Sequence, residues 1–296
     1  DVKRPHLWSP EDPYLYTLET TVRRGETVVD AKTVRIGVRT IAYAADGFRL
    51  NGVVMKFQGV NLHHDLGPLG AAFNRAAFRR QVRLLKGMGV NAIRTAHNFP
   101  PPWQTEICDE LGMMVMAESV DEWLRPKCLN GYHKAFAKWW KRDFADSYKA
   151  VINSPSIVMW AIGNEVHDQR RETGYYAAKG MIDLCHEIDP SRPVAAGLSW
   201  VNNSIESGLL SLFDVPAYTY HLHRYEDIVA NSPHPFVVGA ESSNTISSRG
   251  VYHFPVPDGP QTYFSEDSGY PKADHQVTGY DMVGGSSWVD KAFALA

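Results

Sequence analysis

From residue 51 onward the sequence repeats one device: a short apolar run ending in polar or ionisable residues, then a stretch whose apolar residues recur at helical spacing. Val53 to His64 is the first such run, and Phe78, Val82 and Leu85 mark the helix after it. Asn91 to His97, Met113 to Ser119 and Ile157 to Glu165 read as strands two, three and four. Helical faces separate them: Trp103, Ile107 and Leu111, then Phe136, Trp140, Phe144 and Val151. A fourth face, with Ala177, Met181, Leu184 and Ile188, follows strand four. Val194 to Ser199, Val215 to His221 and Phe236 to Glu241 bring the count to seven strands. This alternation marks a parallel α/β fold, because parallel neighbours must be joined by a long crossover that a helix usually fills.

A (β/α)₈ TIM barrel takes about 250 residues and eight strands. The 296 residues leave room for one barrel and a small appendage. Beyond Glu241 the chain is rich in Ser, Gly, Pro and Tyr and offers no apolar run, so the eighth strand is expected to be missing from the chain. The appendage is residues 1–50. Tyr14 to Val22 alternates with period two, Arg24-Gly25-Glu26 is a hairpin turn, and Thr27-Val28-Val29 begins the return. Val34 to Arg39 and Phe48 to Leu50 add two short strands. Three or four strands do not close a sandwich alone, so these are expected to be the C-terminal strands of a β-sandwich. The expected division is 1–50 for the partial sandwich and 51–296 for a C-terminally truncated barrel.

Composition narrows the function classes. The net charge of −3 gives no electrostatic footprint for nucleic acid or anionic membrane. No apolar run reaches about 18 residues, so no membrane span is expected. Cys108, Cys128 and Cys185 are odd in number and widely spaced, which disfavours a disulfide framework or a structural zinc. Cys108 and Cys185 fall on apolar helix faces and read as small buried hydrophobes. The start at Asp1-Val2-Lys3 is expected to be a cut from a longer protein, so the missing signal peptide carries little weight.

The chemistry sits at the strand ends. Strand one ends in His63-His64-Asp65, strand two in Arg94 and His97-Asn98, and strand three in Glu118 with Asp121-Glu122 beyond. Strand four ends in Asn164-Glu165, strand six in Tyr220-His221 and strand seven in Glu241. A buried parallel strand should stay apolar to its end, so ionisable groups there need a reason. In a barrel those ends converge on one mouth, where active sites lie. Two carboxylates about 5 Å apart in such a mouth are the equipment of a retaining glycosidase, one attacking the anomeric carbon and the other protonating the leaving oxygen. Taken singly, each residue has a plainer use: Asn164-Glu165 as a helix cap, Glu241 as a solvated loop group, His63, His64 and His97 as hydrogen-bonded strand ends. Trp123, Trp139 and Trp140 read as packing. Two rival readings also stay open. His221-Leu222-His223 and His63-His64-Asp65 supply ligands for a metal-dependent hydrolase, and a non-catalytic sugar-binding module would use the carboxylates only to bind hydroxyls.

Trp160-Ala161-Ile162-Gly163-Asn164-Glu165 resembles the W-x-x-G-N-E acid/base motif of glycoside hydrolase family 2, the β-galactosidase and β-glucuronidase family. Four further blocks agree in order: Pro5 to Tyr16, Phe48 to Gly52 followed by Gly59-Val60-Asn61, Ile93 to Asn98, and Cys108-Asp109-Glu110-Leu111-Gly112. The resemblance implies that residues 1–50 belong to an immunoglobulin-like β-sandwich and the rest to the family's catalytic TIM barrel. It implies Glu165 as acid/base and Glu241, in Gly239-Ala240-Glu241-Ser242-Ser243, as nucleophile. It implies that Asn164 binds the hydroxyl next to the nucleophile, that Arg94 and Tyr220 hold the nucleophile ionised and oriented, and that His63, His97 and Asn98 line the sugar subsite. The expected activity is retaining hydrolysis of a terminal β-glycoside, a galactoside before a glucuronide.

The pattern also departs from the family's. Where some relatives bind Mg²⁺ through a carboxylate and a His after strand three, Glu122 is present but the His position reads Leu124, so no essential metal is expected. No cofactor is expected either. The Asn-x-Lys signature for a uronic acid is not visible, and the family's aromatic eighth strand and preceding sugar-binding domain are expected to lie outside the chain. Any homo-oligomer is expected to form through such absent domains.

Overall fold

The computed structural model of the chain describes residues 2–221, 224–234 and 236–242. The expectation about an eighth strand falls on 243–296 and lies outside them. Seven parallel strands stand side by side in chain order: β6 (Gly59–Leu62), β7 (Ala92–Thr95), β8 (Met114–Glu118), β9 (Ile157–Asn164), β10 (Val194–Leu198), β11 (Ala217–Thr219) and β12 (Val238–Glu241). They curl into a nearly closed barrel: the first and last strands meet where Asn61 Nδ2 donates to the Ala240 carbonyl at 3.0 Å. Outside run α1 (Arg75–Gly87), α2 (Pro102–Leu111), α3 (His133–Val151) and α4 (Glu172–Ile188), the four helices that periodicity predicts. Two six-residue helices, α5 (Val201–Glu206) and α6 (Tyr225–Ala230), follow β10 and β11. Less than two turns long, they show no periodicity to read.

Local chemistry sets the helix ends. The Asn74 side chain accepts the Ala77 amide at 2.9 Å and caps α1. Pro102 opens α2, where its missing N–H costs nothing, and Gly112 closes it at φ 69°, with Pro10 packed so close that a Cβ would lie 2.4 Å from its carbonyl oxygen. Cys108 on α2 and Cys185 on α4 are buried free thiols, as their apolar faces predict, and Cys128 is an exposed one. Among the described residues, no helix is long and apolar enough to cross a membrane.

The strands before the barrel form two small antiparallel sheets. β1 (Tyr16–Arg24) and β2 (Thr27–Ile36) make the expected hairpin. β3 (Ile41–Ala44), β4 (Gly47–Leu50) and β5 (Val53–Met55) make a second sheet. The expected first barrel strand, 53–64, therefore divides. Asn51 and Gly52 both take positive φ, 53° and 82°, the left-handed pair of a tight hairpin, and fold 53–55 back onto β4. Only Gly59–Leu62 enters the barrel. Phe48 and Leu50 join Trp8 to pack beneath the barrel on Ala92, Met114 and Val158.

That plug is the lowest of three inward layers. Above it Met159, Ala195, Ala217 and Ala240 fill the middle, with Met116 against them. Alternate residues of the same strands, such as Ile93, Val115 and Trp160, face the helices. The inward column of β8 thus climbs Met114, Met116, Glu118, apolar until its top, and the third layer is polar.

Candidate active site

Strand register brings the polar layer to one level. Asn61 pairs with Arg94, Asn164 with Gly197, and Thr219 with Glu241. Strict alternation would send Asn164 and Glu241 outward, since Met159, Ala161 and Ala240 point in or lie level with inward neighbours. The register slips before both of them, between Ala195 and Gly197 opposite β9 and between Tyr218 and Thr219 opposite β12. A bulge of this kind re-aims the residue after it, and here both turn into the mouth. Glu165 and Tyr220, directly after β9 and β11, take positive φ of 44° and 59°. Such backbone is uncommon outside glycine and is held here by hydrogen bonds from Glu165 N to Gly197 O at 2.7 Å and from Tyr220 N to Glu241 O at 2.6 Å.

Arg94 is the hub. It is 4% exposed and spends its whole guanidinium on the mouth. Nε donates to Glu118 Oε2 at 2.6 Å, and Nη1 donates to Asn61 Oδ1 at 3.0 Å and Glu241 Oε1 at 2.8 Å. Nη2 donates to Asn164 Oδ1 at 2.8 Å and also reaches Glu118. This last set fixes the rest. With Oδ1 committed to Arg94, the Asn164 amide donates through Nδ2, to Asp121 Oδ1 at 3.1 Å and His97 Nε2 at 3.3 Å. His97 Nε2 is then an acceptor, so its Nδ1–H donates to Glu118 Oε1 at 2.7 Å.

Glu241 accepts from Arg94 on one oxygen and from the Tyr220 hydroxyl on the other. Burial by itself would raise its carboxyl. The Arg94 charge, with hydrogen bonds from Tyr220 and Arg94, outweighs burial and holds Glu241 below the ordinary carboxylate range. The pairing acts in return on Arg94: burial disfavours its charge, but Glu118 and Glu241 hold it above its usual value. Glu165 has different company. Its Oε1 accepts from Thr219 Oγ1 at 2.6 Å. Consecutive residues of one strand end, Thr219 and Tyr220, thus touch the two carboxylates.

Of the other sequence candidates, His63 stands edge-on to His97 with ring centres 4.9 Å apart. Asn98 is exposed, and its backbone is engaged, donating to Thr95 O at 3.2 Å. The ligand atoms of His63, His97 and Glu241 lie within 4.8 Å of one another, a spacing open to a cation. Arg94 already supplies the counter-charge to Glu241 and Asn164 engages His97, so a divalent ion would have to displace both. His221 Nδ1 pairs with Thr219 O at 2.6 Å, while Leu222 and His223 lie outside the described residues. Glu122 is buried as a loop anchor, accepting from Lys127 N at 2.5 Å, His133 N at 3.1 Å and His133 Nδ1 at 2.7 Å. Trp123 is core, its Nε1 donating to Ile162 O at 2.7 Å. Asn61, Glu118 and Thr219 are parts of the mouth that the sequence reading did not place among the site residues. Glu118 had a signal, an acid at a strand end; a threonine in a strand carries none.

Comparison with known proteins bears on the fold and the family. The model of "Glycosyl hydrolases family 2, TIM barrel domain" matches residues 41–232, and that of "Glycosyl hydrolases family 2" matches 1–39. The β-galactosidase BoGH2A of Bacteroides ovatus is 36% identical over 287 residues, covering 86% of this chain and 34% of that protein. The β-glucuronidase of Rattus norvegicus is 33% identical over 202 residues, covering 65% and 30%. A crystal structure of a family 2 member from Bacteroides cellulosilyticus superposes with a TM-score of 0.76 at 35% identity, covering 82% of this chain and 31% of that one. The chain spans about a third of the length of these relatives. With the matched family models running through both the strands before the barrel and the barrel itself, the chain belongs to glycosyl hydrolase family 2.

Proposed function

We propose that the protein carrying this chain hydrolyses terminal β-glycosides with retention, through a covalent glycosyl-enzyme on Glu241. One observation carries the reading: a barrel mouth holds two carboxylates in unlike surroundings, Glu241 pinned by Arg94 and Tyr220, and Glu165 touched by a neutral hydroxyl. A nucleophile must be ionised before it attacks, and an arginine with a phenol hydroxyl favours that form. An acid/base must carry a proton in one half of the cycle and lack it in the other, the part this reading leaves to Glu165, whose Oε1 meets a hydroxyl.

The remaining roles are those the family resemblance implies, with the contacts of Arg94 and Tyr220 to Glu241 in support. Arg94 and Tyr220 orient Glu241. Asn164, between Arg94 and Asp121, would bind the sugar hydroxyl beside the nucleophile by exchanging its contact with Asp121 or His97, and His63, His97 and Asn98 line the sugar subsite. The proposed division is a partial sandwich over 1–50 and a catalytic barrel over 51–296, with Gly59–Leu62 as the first barrel strand. The likeness to the Bacteroides ovatus β-galactosidase favours a galactoside. The likeness to the rat β-glucuronidase makes a glucuronide the second reading.

Azide tests the assignment of the two acids. In the intact natural protein, Glu241→Gly should lose turnover of a nitrophenyl β-galactoside by several orders of magnitude, and azide should restore part of it as the inverted α-glycosyl azide. With Glu165→Ala, azide should give the retained β-azide, because Glu241 still attacks first. The opposite pair of products would exchange the two roles. A nitrophenyl β-glucuronide assayed alongside separates the two sugars.

A further inference from the structure

Thr219 carries the further inference, which rests on Glu165 being the acid/base. Its side chain is fully buried, on the inward column of β11 above Ala217, and its Oγ1 lies 2.6 Å from Glu165 Oε1. The same oxygen is 3.4 Å from the Leu198 carbonyl, a much longer partner. A hydroxyl has one hydrogen, so Thr219 can donate to one of these acceptors at a time, and the shorter contact is to Glu165. The branched side chain is stiff at χ1 and closely packed, so the hydroxyl is held in place before substrate arrives.

A carboxylic acid that must deliver its proton in one direction has two oxygens to choose from. A proton on Oε1 would either face the hydroxyl hydrogen across 2.6 Å or force the hydroxyl to turn to the 3.4 Å Leu198 contact, so it is disfavoured there. We infer that Thr219 is a positioning residue for the acid/base step: its hydroxyl occupies Oε1 of Glu165 and assigns the transferable proton to Oε2. In the first half-reaction Oε2–H passes its proton to the glycosidic oxygen as the bond from that oxygen to C1 breaks and a Glu241 oxygen bonds to C1. In the second, Oε2 takes a proton from water as the water oxygen bonds to C1 and Glu241 leaves. Thr219 keeps its own proton throughout and stabilises the ionised Glu165 between the two halves.

A leaving-group series reads this directly, because proton donation matters little when the leaving group is already a stable anion. In the intact natural protein, kcat/KM is measured on aryl β-galactosides, or the glucuronides if those are the substrate, from dinitrophenyl to phenyl. Thr219→Val should lose about 10- to 100-fold on the phenyl glycoside, a part of what general acid catalysis contributes, and no more than a few-fold on the dinitrophenyl one. Thr219→Ser should stay near the parent, and Thr219→Ala should follow the valine variant. That serine–alanine pair differs only by the hydroxyl, so it decides the matter even if the valine variant folds poorly. An equal loss across the series, or serine as impaired as alanine, would show that Thr219 only packs. Glu165→Ala on the same series separates the two claims: a steep leaving-group dependence there with a flat one for Thr219→Val overturns the inference alone. A flat dependence for Glu165→Ala overturns the acid/base reading and the inference with it.

Discussion

Around Glu241 the mouth is dense with charge: Arg94 lies between it and the fully buried Glu118, His97 bridges to Glu118, and Tyr220 closes the other oxygen. On the Glu165 side, among the described residues, the Thr219 hydroxyl sits on Oε1 and the strand end beside it is held by Lys127 and Asp121. Two carboxylates in one cleft tend to compete for a proton, and the surroundings decide which gives way. The comparison teaches that the fold gives the two acids unlike partners: it commits a buried cation to Glu241 and sets a neutral hydroxyl against Glu165.

The largest effect should come from removing that cation. Arg94→Met leaves Glu118 and Glu241 buried without their counter-charge, which typically costs about 3–5 kcal/mol of stability when one partner of a buried pair is lost. The rate should fall by on the order of 10³-fold, the scale for loss of a fixed electrostatic partner. The pH dependence gives the sharper result. After burial, Arg94 is the leading influence on Glu241, and it lowers the carboxyl. Without it the carboxyl ionises at higher pH, so the acid limb of kcat/KM should move up. The depressed carboxyl also stabilises the fold above its unfolded value of about 4.3, a contribution lost as pH falls through the lower folded value. Thermal unfolding of Arg94→Met should therefore depend less on pH in that acid window than the parent's. An unmoved acid limb would mean that Arg94 is structural and that the contrast between the two acids arises elsewhere.

A smaller disturbance to the same hub is available from below. Gly197 lies on the inward column of β10, and a Cβ there would sit 2.9 Å from Arg94 Nη2 and 3.0 Å from Asn164 Oδ1. Those two groups bond to each other and to the mouth, so they must shift together by a few tenths of an ångström. Gly197→Ala should lose about tenfold in kcat/KM, given that about 1 Å of misplacement costs on the order of 10²-fold. Thermal stability should fall by about 1–3 kcal/mol, the usual cost of overpacking. Gly59→Ala, whose added Cβ would meet only ordinary contacts of 3.5 Å and more, is the control. Equal rates for the two variants would show that the Arg94–Asn164 contact tolerates movement.

Much of this site was legible in the sequence, and the illegible remainder has a common cause. The seven strands, the four long helices and the polar strand ends follow from apolar periodicity, which burial enforces along each element. The inward direction of Asn164 and Glu241 does not follow, because it depends on register slips that reverse the alternation of β9 and β12. Glu118 is visible as an acid at a strand end, yet only the fold reveals that Arg94 and His97 consume it. Thr219 is invisible, since a strand threonine is ordinary and its partner stands 54 residues away. The first barrel strand begins at Gly59 and not at Val53 for a local reason: the turn at Asn51-Gly52 folds 53–55 back onto β4.

The smallest expected effect lies on the Glu165 side. Lys127 Nζ donates to Asp121 Oδ1 at 2.6 Å and to the Asn164 carbonyl at 3.0 Å, next to Glu165. Asp121 is 38% exposed, so water and salt screen the pair, and such pairs contribute about 0.2–1 kcal/mol. Removing the amine leaves Asp121 with the Asn164 amide and leaves Asn164 with Arg94. Lys127→Met should therefore cost less than about 1 kcal/mol in thermal unfolding and roughly twofold in kcat/KM. Raising the ionic strength should narrow the gap between parent and variant, because it weakens the pair in the parent. Thr219→Val, which touches Glu165 itself, should cost more on poor leaving groups than Lys127→Met does. A tenfold or greater loss in Lys127→Met would place the control of Asn164 on the exposed side of the mouth rather than with the buried Arg94.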